Sequence, residues 1–271
     1  MTWAVCTHTA RRQNARLPYP IRLRSLLVTI SMKYPGLKEL SSHSKNIPRV
    51  VGVVHSLDCL KIIQNSPEKF LHTIDLLEVR LDCLRFKQLP DTWPLPVIAT
   101  ARHGAEGGAH HLTLAERRYL LEEALPWSSA IDVELRSFKE LASTLAHARK
   151  EKLFIISSFH DFDTVPSLAR LESMALRAKE SGADCFKVAC RIKDEEGLLR
   201  LLAFQSMMSS CFPIAAMGMG EGGQLSRLLL AGLGSILGYG WLSKPQIKGQ
   251  SWACEIQEQI KKFNFFLSKQ E

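Results

Sequence analysis

Long apolar runs and paired cysteines are both missing from this sequence. No stretch approaches the roughly 18 consecutive apolar residues that a membrane-spanning helix needs. The longest apolar stretch near the N-terminus, residues 26–30, is shorter than the ~7–15-residue core of a secretory signal. The seven cysteines are scattered without a Cys-x-x-Cys pair, as is typical of reduced thiols in intracellular proteins. We therefore expect a soluble, cytoplasmic protein without a membrane partner.

Acidic residues are nearly absent from the first fifty positions. Residues 1–50 hold nine Lys and Arg and one acidic residue, whereas residues 51–271 hold 26 of each kind. The formal net charge of +8 therefore belongs to the N-terminal segment, which argues against a nucleic-acid-binding body. We predict a basic extension over residues 1–48 and the main domain over residues 49–271. The extension is compatible with a transit segment, an RNA-contacting arm, or a stretch upstream of a second start at Met32.

Beyond residue 49, short apolar segments recur at intervals that leave room for a helix between them. We predict eight strands, at residues 50–54, 76–81, 96–102, 130–134, 153–158, 183–189, 213–217 and 235–239. Parallel strands need such crossovers, so the sequence predicts the α/β class and a single-domain (β/α)8 TIM barrel. A doubly wound open sheet is the alternative. Residues 54–57, after the first strand, hold no glycine for the nucleotide-binding turn that such sheets usually carry.

Two stretches have the Ser/Thr-x-x-Glu pattern of a helix capping box. Thr113 and Glu116 predict the start of a helix that runs to about Ala124. Ser137 and Glu140 predict the start of the next helix in the same way. The pattern therefore predicts where the chain turns into a helix after the third and fourth strands.

The sixth predicted strand, residues 183–189, is an apolar run that contains one lysine, Lys187. Side chains alternate along a strand, so Lys187 shares a face with Ala183 and Cys185 rather than with the bulkier residues. An amine surrounded by carbon is disfavoured in its charged form, and a neutral amine can attack a carbonyl to form a Schiff base. For a lysine considered alone, a side chain that reaches solvent from the strand end is the alternative.

Polar residues stand near the ends of several predicted strands, where the reactive groups of a barrel cluster. They are Glu78 and Arg80 on the second strand, Thr100 and Arg102 on the third, Asp132 and Glu134 on the fourth, Ser158 and His160 at the fifth, Lys187 on the sixth, and the glycine-rich turn 218–223 with Arg227 after the seventh. Each alone has a structural explanation, such as an internal ion pair. Because burying many charges at one end of a barrel without a ligand is costly, together they indicate a binding site.

These residues form ordered motifs. They are Glu78-x-Arg80-x-Asp82, Thr100-x-Arg102-x-x-x-Glu106-Gly-Gly, Ser158-Phe-His160-Asp-Phe, Ala183-Asp-x-x-Lys187-Val-Ala and Met219-Gly-x-x-Gly-x-x-Ser226-Arg227. In this order they resemble the motifs of type I 3-dehydroquinate dehydratases, and the resemblance covers nearly all of residues 50–265. It implies a (β/α)8 barrel, usually a homodimer, that removes water from 3-dehydroquinate to give 3-dehydroshikimate in the shikimate pathway. It also implies a lysine imine and neither a metal nor an organic cofactor.

The resemblance implies three catalytic residues. Lys187 would form the imine, which is a better electron sink than the carbonyl for proton abstraction. His160 would act as general acid and base, and Glu106 would orient the imidazole. Another Schiff-base barrel, such as an aldolase or transaldolase, would keep Lys187 but would not need the arginines. A barrel that only binds a ligand is the third possibility, although the presence of both Lys187 and His160 argues against it.

The resemblance also implies the substrate contacts. Glu78, Arg80 and Arg102 would hold the ring hydroxyls, and the planar guanidinium of Arg227 would bind the substrate carboxylate. Residues 246–250 align with the lid loop after the eighth strand, from which Gln246 and Gln250 would reach the substrate. Here the sequence departs from the family pattern Ser-Ala-Pro-Gly-Gln, since Gln246 replaces the serine and Lys248 the proline. We therefore expect a looser lid, in which Lys248 adds attraction for the carboxylate.

Overall fold

Eight parallel strands form a single sheet in the computed structural model, which describes residues 48–65, 68–84 and 86–268. They are β1 (Arg49–Val54), β2 (Leu76–Arg80), β3 (Val97–Thr100), β4 (Ala130–Glu134), β5 (Phe154–Asp161), β6 (Cys185–Arg191), β7 (Ile214–Met219) and β8 (Leu237–Trp241). Their order in the sheet is β7-β6-β5-β4-β3-β2-β1-β8. The predicted (β/α)8 TIM barrel is confirmed.

Helices connect the strands along the outside of the barrel. They are α1 (Leu57–Asn65), α2 (Glu68–Leu71), α3 (Leu114–Ala124), α4 (Ala142–Lys150), α5 (Leu168–Glu180), α6 (Glu195–Met208), α7 (Gly223–Gly232) and α8 (Ala253–Ser268). Short 3₁₀ turns lie at Phe86–Gln88, Gly104–Glu106, Leu125–Trp127 and Leu135–Ser137. Outward side chains of the strands pack against these helices and form the larger apolar core.

One of the two predicted capping boxes is present. The Thr113 hydroxyl accepts the Glu116 N–H, and the Glu116 carboxylate accepts the Thr113 N–H, so α3 begins where predicted. The prediction for Ser137 is wrong, because α4 begins at Ala142 without a side-chain cap. The buried Ser137 hydroxyl instead accepts a hydrogen bond from Arg117.

Strands β7 and β8 close the barrel only at its lower end. The Ile236 N–H donates to the Ile214 carbonyl over 2.9 Å, and the Ala216 N–H donates to the Ser235 hydroxyl over 3.1 Å. Above these bonds, the described residues of β7 and β8 do not pair as neighbouring strands. The barrel is therefore nearly closed, with a seam between β7 and β8 that runs toward the end where the polar residues gather.

Alternation along the strands separates an apolar lower interior from a polar upper one. The inner apolar cluster includes Val51, Ile98 and Phe154. Glu78 and Lys187, each the next inward residue after Leu76 and Cys185 of this cluster, are also buried. Strand β5 extends to Asp161, so His160 lies within the strand, opposite Ala189, and not after its end as predicted. The β5–β6 ladder continues through this position and fixes the backbone that carries the imidazole.

The predicted basic extension, residues 1–48, lies outside the described residues except for Pro48. In the part of the chain that the structure describes, no helix is long and apolar enough to cross a membrane. The cysteines at positions 59, 83, 185, 190, 211 and 254 are free thiols.

Candidate active site

Lys187 projects into the upper interior of the barrel and is 3% exposed. Its Nζ donates to Asp132 Oδ2 over 2.9 Å and to Glu78 Oε1 over 3.2 Å. The ring of Tyr239 covers a third side, with its centroid 3.9 Å from Nζ. The alternation therefore predicts the correct face, but the amine lies between two carboxylates and an aromatic ring rather than among carbon atoms alone.

Arg102 connects the carboxylates around the amine. Its Nη1 lies 3.0 Å from Asp132 Oδ1 and 3.0 Å from Glu134 Oε1, and its Nη2 lies 2.9 Å from Asp132 Oδ2 and 3.5 Å from Glu78 Oε1. Burial opposes ionisation of Asp132, but the charges of Arg102 and Lys187 outweigh it and hold the pKa of Asp132 far below its ordinary value. Arg102 and Lys187 thereby join Glu78, Asp132 and Glu134 in one buried network of ion pairs.

His160 and Glu106 form a second unit at the same end of the barrel. One oxygen of Glu106, Oε2, accepts the His160 backbone N–H over 2.9 Å and lies 3.1 Å from His160 Nδ1. Burial, followed by the charges of Arg102 and Lys187, lowers the pKa of His160 well below its ordinary value. The imidazole is therefore neutral at neutral pH. With Nδ1–H donated to Glu106, Nε2 is left as a proton acceptor.

The pKa of the Glu106 carboxyl is also shifted from its ordinary value. Burial and the nearby Glu134 charge raise the pKa of Glu106 to about 7, although Arg102 acts in the opposite direction. Glu106 lies in the 3₁₀ turn after β3, which ends at Gly107 with a φ of 83°. This left-handed conformation favours glycine and turns the chain back over the barrel mouth.

His160 and Lys187 share the upper interior. Ser158 pairs in register with Lys187, and His160 is the next inward residue on β5. Both side chains therefore project toward the same end of the barrel from neighbouring strands.

Arg80 lies at the rim and is held by Asp82. Its Nε and Nη2 contact the two Asp82 oxygens over 2.9 and 2.7 Å, and Nη2 also donates to the Gly107 carbonyl over 3.0 Å. The Asp82 carboxylate in addition accepts the backbone N–H groups of Arg102 and Ala109. Asp82 therefore links the end of β2 to the loop after β3 and fixes the orientation of Arg80.

Arg227 does not join the network around Lys187. Its Nη1 donates to the Tyr239 carbonyl over 3.0 Å, and its buried Nε has no hydrogen-bond partner within the described ranges. The guanidinium lines a cleft that is bordered by Met217 of β7, by Gly238 and Tyr239 of β8, and by α7 and α8, and that extends down to Pro48 and Ser235. Burial without an acidic partner lowers the pKa of Arg227 to about 10. The guanidinium thus lies at the seam between β7 and β8 as an uncompensated cation.

The loop of residues 243–250, here called the lid loop, lies against the glycine-rich turn after β7. The Gly220 N–H donates to the Lys248 carbonyl over 2.9 Å, and Lys248 Nζ contacts Glu221 Oε1 at 2.6 Å. Gly249 has a φ of +86°, and an added Cβ would lie 2.3 Å from the Gly220 oxygen, so this approach requires glycine. Lys248 therefore pairs with Glu221 in this structure, and the approach of the loop does not depend on a proline.

The two lid glutamines contact each other rather than the Lys187 network. The Gln246 N–H donates to Gln250 Oε1 over 3.1 Å, and Trp241 Nε1 donates to the Gln250 carbonyl over 3.1 Å. Between them Ile247 packs against the inner apolar cluster. The lid loop thus covers the barrel mouth with an apolar side chain.

Arg117 is a site-supporting residue that the motifs did not reveal. It is 1% exposed, and its guanidinium pairs with Glu134 Oε2 and donates to the Ala101 carbonyl over 2.8 Å. Its spacing from the apolar Leu121 and Ala124 could have predicted its burial, because the three residues lie on the same face of α3. Arg117 holds one oxygen of Glu134 and Arg102 holds the other.

In the described parts of the chain, no group of three or more His, Cys, Asp or Glu side chains could hold a metal ion. The ionisable groups at the barrel mouth instead pair with one another, as carboxylates with guanidinium groups and with the amine. The arrangement offers an amine, a neutral imidazole with an oriented ring, and several cations. These groups suit covalent capture of a carbonyl compound and proton transfer next to it.

Comparison with known proteins agrees with this chemistry. Residues 54–264 match the sequence model of the family described as type I 3-dehydroquinase. The chain is 33% identical over 220 residues to the 3-dehydroquinate dehydratase of Methanocella arvoryzae, covering 79% of this chain and 96% of that protein. It is also 33% identical over 208 residues to the 3-dehydroquinate dehydratase of Methanococcus maripaludis, covering 74% of this chain and 93% of that protein.

A solved structure shares the fold. The crystal structure of 3-dehydroquinate dehydratase from Geobacillus kaustophilus superposes with a TM-score of 0.72 at 23% identity, covering 84% of this chain and 98% of that one. The sequence match carries the assignment and the superposition supports the architecture. The chain therefore belongs to the type I 3-dehydroquinase family, whose members are the 3-dehydroquinate dehydratases, lyases of the shikimate pathway.

Proposed function

We propose that this protein dehydrates 3-dehydroquinate to 3-dehydroshikimate through a Schiff base on Lys187, with His160 as general acid and base. The observation that carries the proposal is a buried amine that shares a barrel end with a neutral imidazole, whose orientation is set by Glu106. Neither group alone accounts for dehydration next to a ketone. Together they provide the electron sink and the proton carrier that the reaction needs.

The reaction divides into four balanced steps. Lys187 Nζ gives a proton to His160 and attacks the ketone carbon, and His160 then returns the proton to the carbinolamine hydroxyl, which leaves as water and gives a protonated imine. His160 Nε2 removes a proton from the carbon beside the imine, the electron pair of the broken C–H bond forms a C=C bond, and the C=N π pair moves onto nitrogen to give an enamine. The enamine expels the hydroxyl of the next carbon, which leaves as water with the proton from His160. Water then hydrolyses the imine and releases the product and the free amine.

The proposed substrate contacts use charged and polar side chains around the site. Glu78, Arg80 and Arg102 are proposed to bind ring hydroxyls, with Arg102 sharing its donors between the substrate and the carboxylates it already contacts. Arg227 has no acidic partner among the described residues and is proposed to bind the substrate carboxylate from the seam between β7 and β8. Gln246 and Gln250 are proposed to complete the contacts from the lid loop.

We also propose a cytoplasmic homodimer that works without a metal or an organic cofactor and binds neither nucleic acid nor membrane. The catalytic domain would comprise residues 49–271, preceded by the basic extension. Support for self-association comes from the resemblance of the motifs to a family whose members are usually homodimers. Light scattering coupled to size-exclusion chromatography tests the proposed dimer, and a monomer at micromolar concentration would contradict it.

Borohydride trapping tests the catalytic proposal. The protein is incubated with 3-dehydroquinate, reduced with sodium borohydride, digested, and analysed by mass spectrometry. We expect the reduced adduct on the peptide that contains Lys187, no adduct in Lys187→Met, and normal trapping in the matched control Lys150→Ala, which changes an exposed lysine of α4. An active enzyme without an adduct at Lys187 would reject the imine mechanism.

A further inference from the structure

Tyr239 is the one aromatic side chain in the described residues whose ring lies over the Lys187 amine. It projects from β8 into the barrel interior, where it is 3% exposed and belongs to the inner apolar cluster. Its hydroxyl is buried and has no hydrogen-bond partner within the described ranges. The neighbouring polar groups differ, because the Thr100 hydroxyl donates to Glu78 and the Ser158 hydroxyl donates to Asp132.

The Tyr239 hydroxyl keeps its proton at neutral pH. Burial, followed by the charges of Glu78 and Asp132, raises the pKa of Tyr239 well above its ordinary value. The group is therefore a protonated hydroxyl that can donate a hydrogen bond. If packing alone had determined this position, a phenylalanine would fill the same space without burying a hydroxyl.

We propose that Tyr239 contacts the substrate during the reaction. Its ring face stabilises the positive charge on Nζ in the ammonium and in the protonated imine, and its hydroxyl donates a hydrogen bond to an oxygen of the substrate bonded to Nζ. This inference rests on the proposed imine mechanism. The 3.9 Å separation from Nζ to the ring centroid lies within the range of a cation–π contact.

The location of the hydroxyl supports the second half of the inference. The hydroxyl belongs to a ring whose centroid lies 3.9 Å from Nζ, so a substrate bonded to Nζ lies next to the Tyr239 side chain. The substrate is rich in hydroxyl and carboxylate oxygens, each of which can accept a hydrogen bond. Substrate binding therefore provides the partner that the free site does not.

Two substitutions separate the ring from the hydroxyl. Tyr239→Phe removes only the hydroxyl, and we expect KM to rise about three- to tenfold with kcat nearly unchanged, as for the loss of one hydrogen bond. Tyr239→Leu also removes the ring face, and we expect its kcat and its yield of borohydride-trapped adduct to fall below those of Tyr239→Phe. Tyr119→Phe is the matched control, because Tyr119 is 48% exposed on α3 and should retain the KM of the parent protein.

Thermal unfolding and adduct mass distinguish the possible outcomes. Tyr239→Phe should unfold at the same temperature as the parent or higher, because no internal hydrogen bond is lost. If the parent forms the Lys187 adduct but Tyr239→Phe has the parent KM and kcat, the role of the hydroxyl is rejected and the imine proposal stands. If Tyr239→Leu keeps full kcat and trapping, the role of the ring is rejected. A parent protein that forms no adduct overturns the imine mechanism and, with it, this inference.

Discussion

The two sides of the barrel mouth differ in how their charges are satisfied. On the side formed by β2 to β6, Lys187, Arg102 and Arg117 each contact at least one buried carboxylate. At the seam between β7 and β8, Arg227 has no acidic partner and the Tyr239 hydroxyl has no hydrogen-bond partner in the part of the chain that the structure describes. The charges on the first side are paired with one another before a ligand binds, whereas those on the second side are not.

This difference separates two tasks. Paired charges in a dry interior hold the reacting groups in place, so that little reorganisation is needed during the reaction. Groups without partners contribute to binding when the substrate supplies the partner. We therefore expect substitutions on the paired side to affect kcat and stability, and substitutions at the seam to affect KM.

The largest expected effect on the paired side is on the chemical step. His160→Gln keeps a polar side chain but removes the proton acceptor, so kcat should fall by about 10²- to 10⁴-fold. Steady-state kinetics measure the change, and borohydride trapping shows whether the first covalent step survives. His147→Gln, at an exposed position of α4, is the control. A kcat within threefold of the parent would exclude His160 as the proton carrier.

Arg117→Met tests whether the paired side depends on its outer support. Removing the guanidinium leaves one buried oxygen of Glu134 without its ion-pair partner, and breaking such a pair costs about 3 to 5 kcal/mol of unfolding free energy. Urea denaturation measures the loss. Arg118→Met, the neighbouring exposed arginine, should leave stability nearly unchanged. Equal stability of the two variants would contradict the support role of Arg117.

Arg227→Met makes the same substitution at the seam. There we expect a change in KM without a loss of stability, the opposite of Arg117→Met. Removal of a buried cation without an acidic partner should leave the unfolding temperature unchanged or raised. Loss of a charged hydrogen-bond partner for the substrate carboxylate should raise KM by about 10- to 100-fold. A stability loss as large as that of Arg117→Met, with KM unchanged, would show that both sides of the mouth are structural.

The pH profile tests the His160–Glu106 unit. The pKa of Glu106 is raised to about 7, so this carboxyl is protonated below that pH and ionised above it. The ionised form stabilises a proton on the His160 ring, and kcat/KM should therefore rise as the pH increases through about 7. His160 does not add a charge change in this range because its pKa is well below its ordinary value. Glu106→Gln should lower kcat about tenfold and remove the rise of kcat/KM near pH 7. If the rise of kcat/KM persists in Glu106→Gln, it belongs to the titration of another group.

The smallest effect is expected at the lid loop. Lys248 and Glu221 are 70% and 86% exposed, so solvent screens their ion pair. Lys248→Ala should change KM by no more than about twofold, and the change should diminish further in high salt. A large increase in KM would show that Lys248 contacts the substrate.

Local patterns in the sequence predict much of the fold and part of the site. Strand alternation places Lys187 inside the barrel, and the Thr113–Glu116 pair predicts the start of α3. The same pattern at Ser137 gives the wrong result, because a buried guanidinium 20 residues away binds that hydroxyl. Local hydrogen-bond preferences determine a helix start only where no buried partner competes for the same group.

The order of residue types along the chain determined the barrel, the inward faces of its strands and the family motifs, because these depend on spacing that is regular and local. Only the tertiary structure decided which charges pair. Arg102, Arg117 and Arg227 are alike as residues, yet two of them contact buried carboxylates and the third lies at an open seam. Ion pairing depends on distances between side chains far apart in the sequence, and those distances exist only when the strands have closed around them.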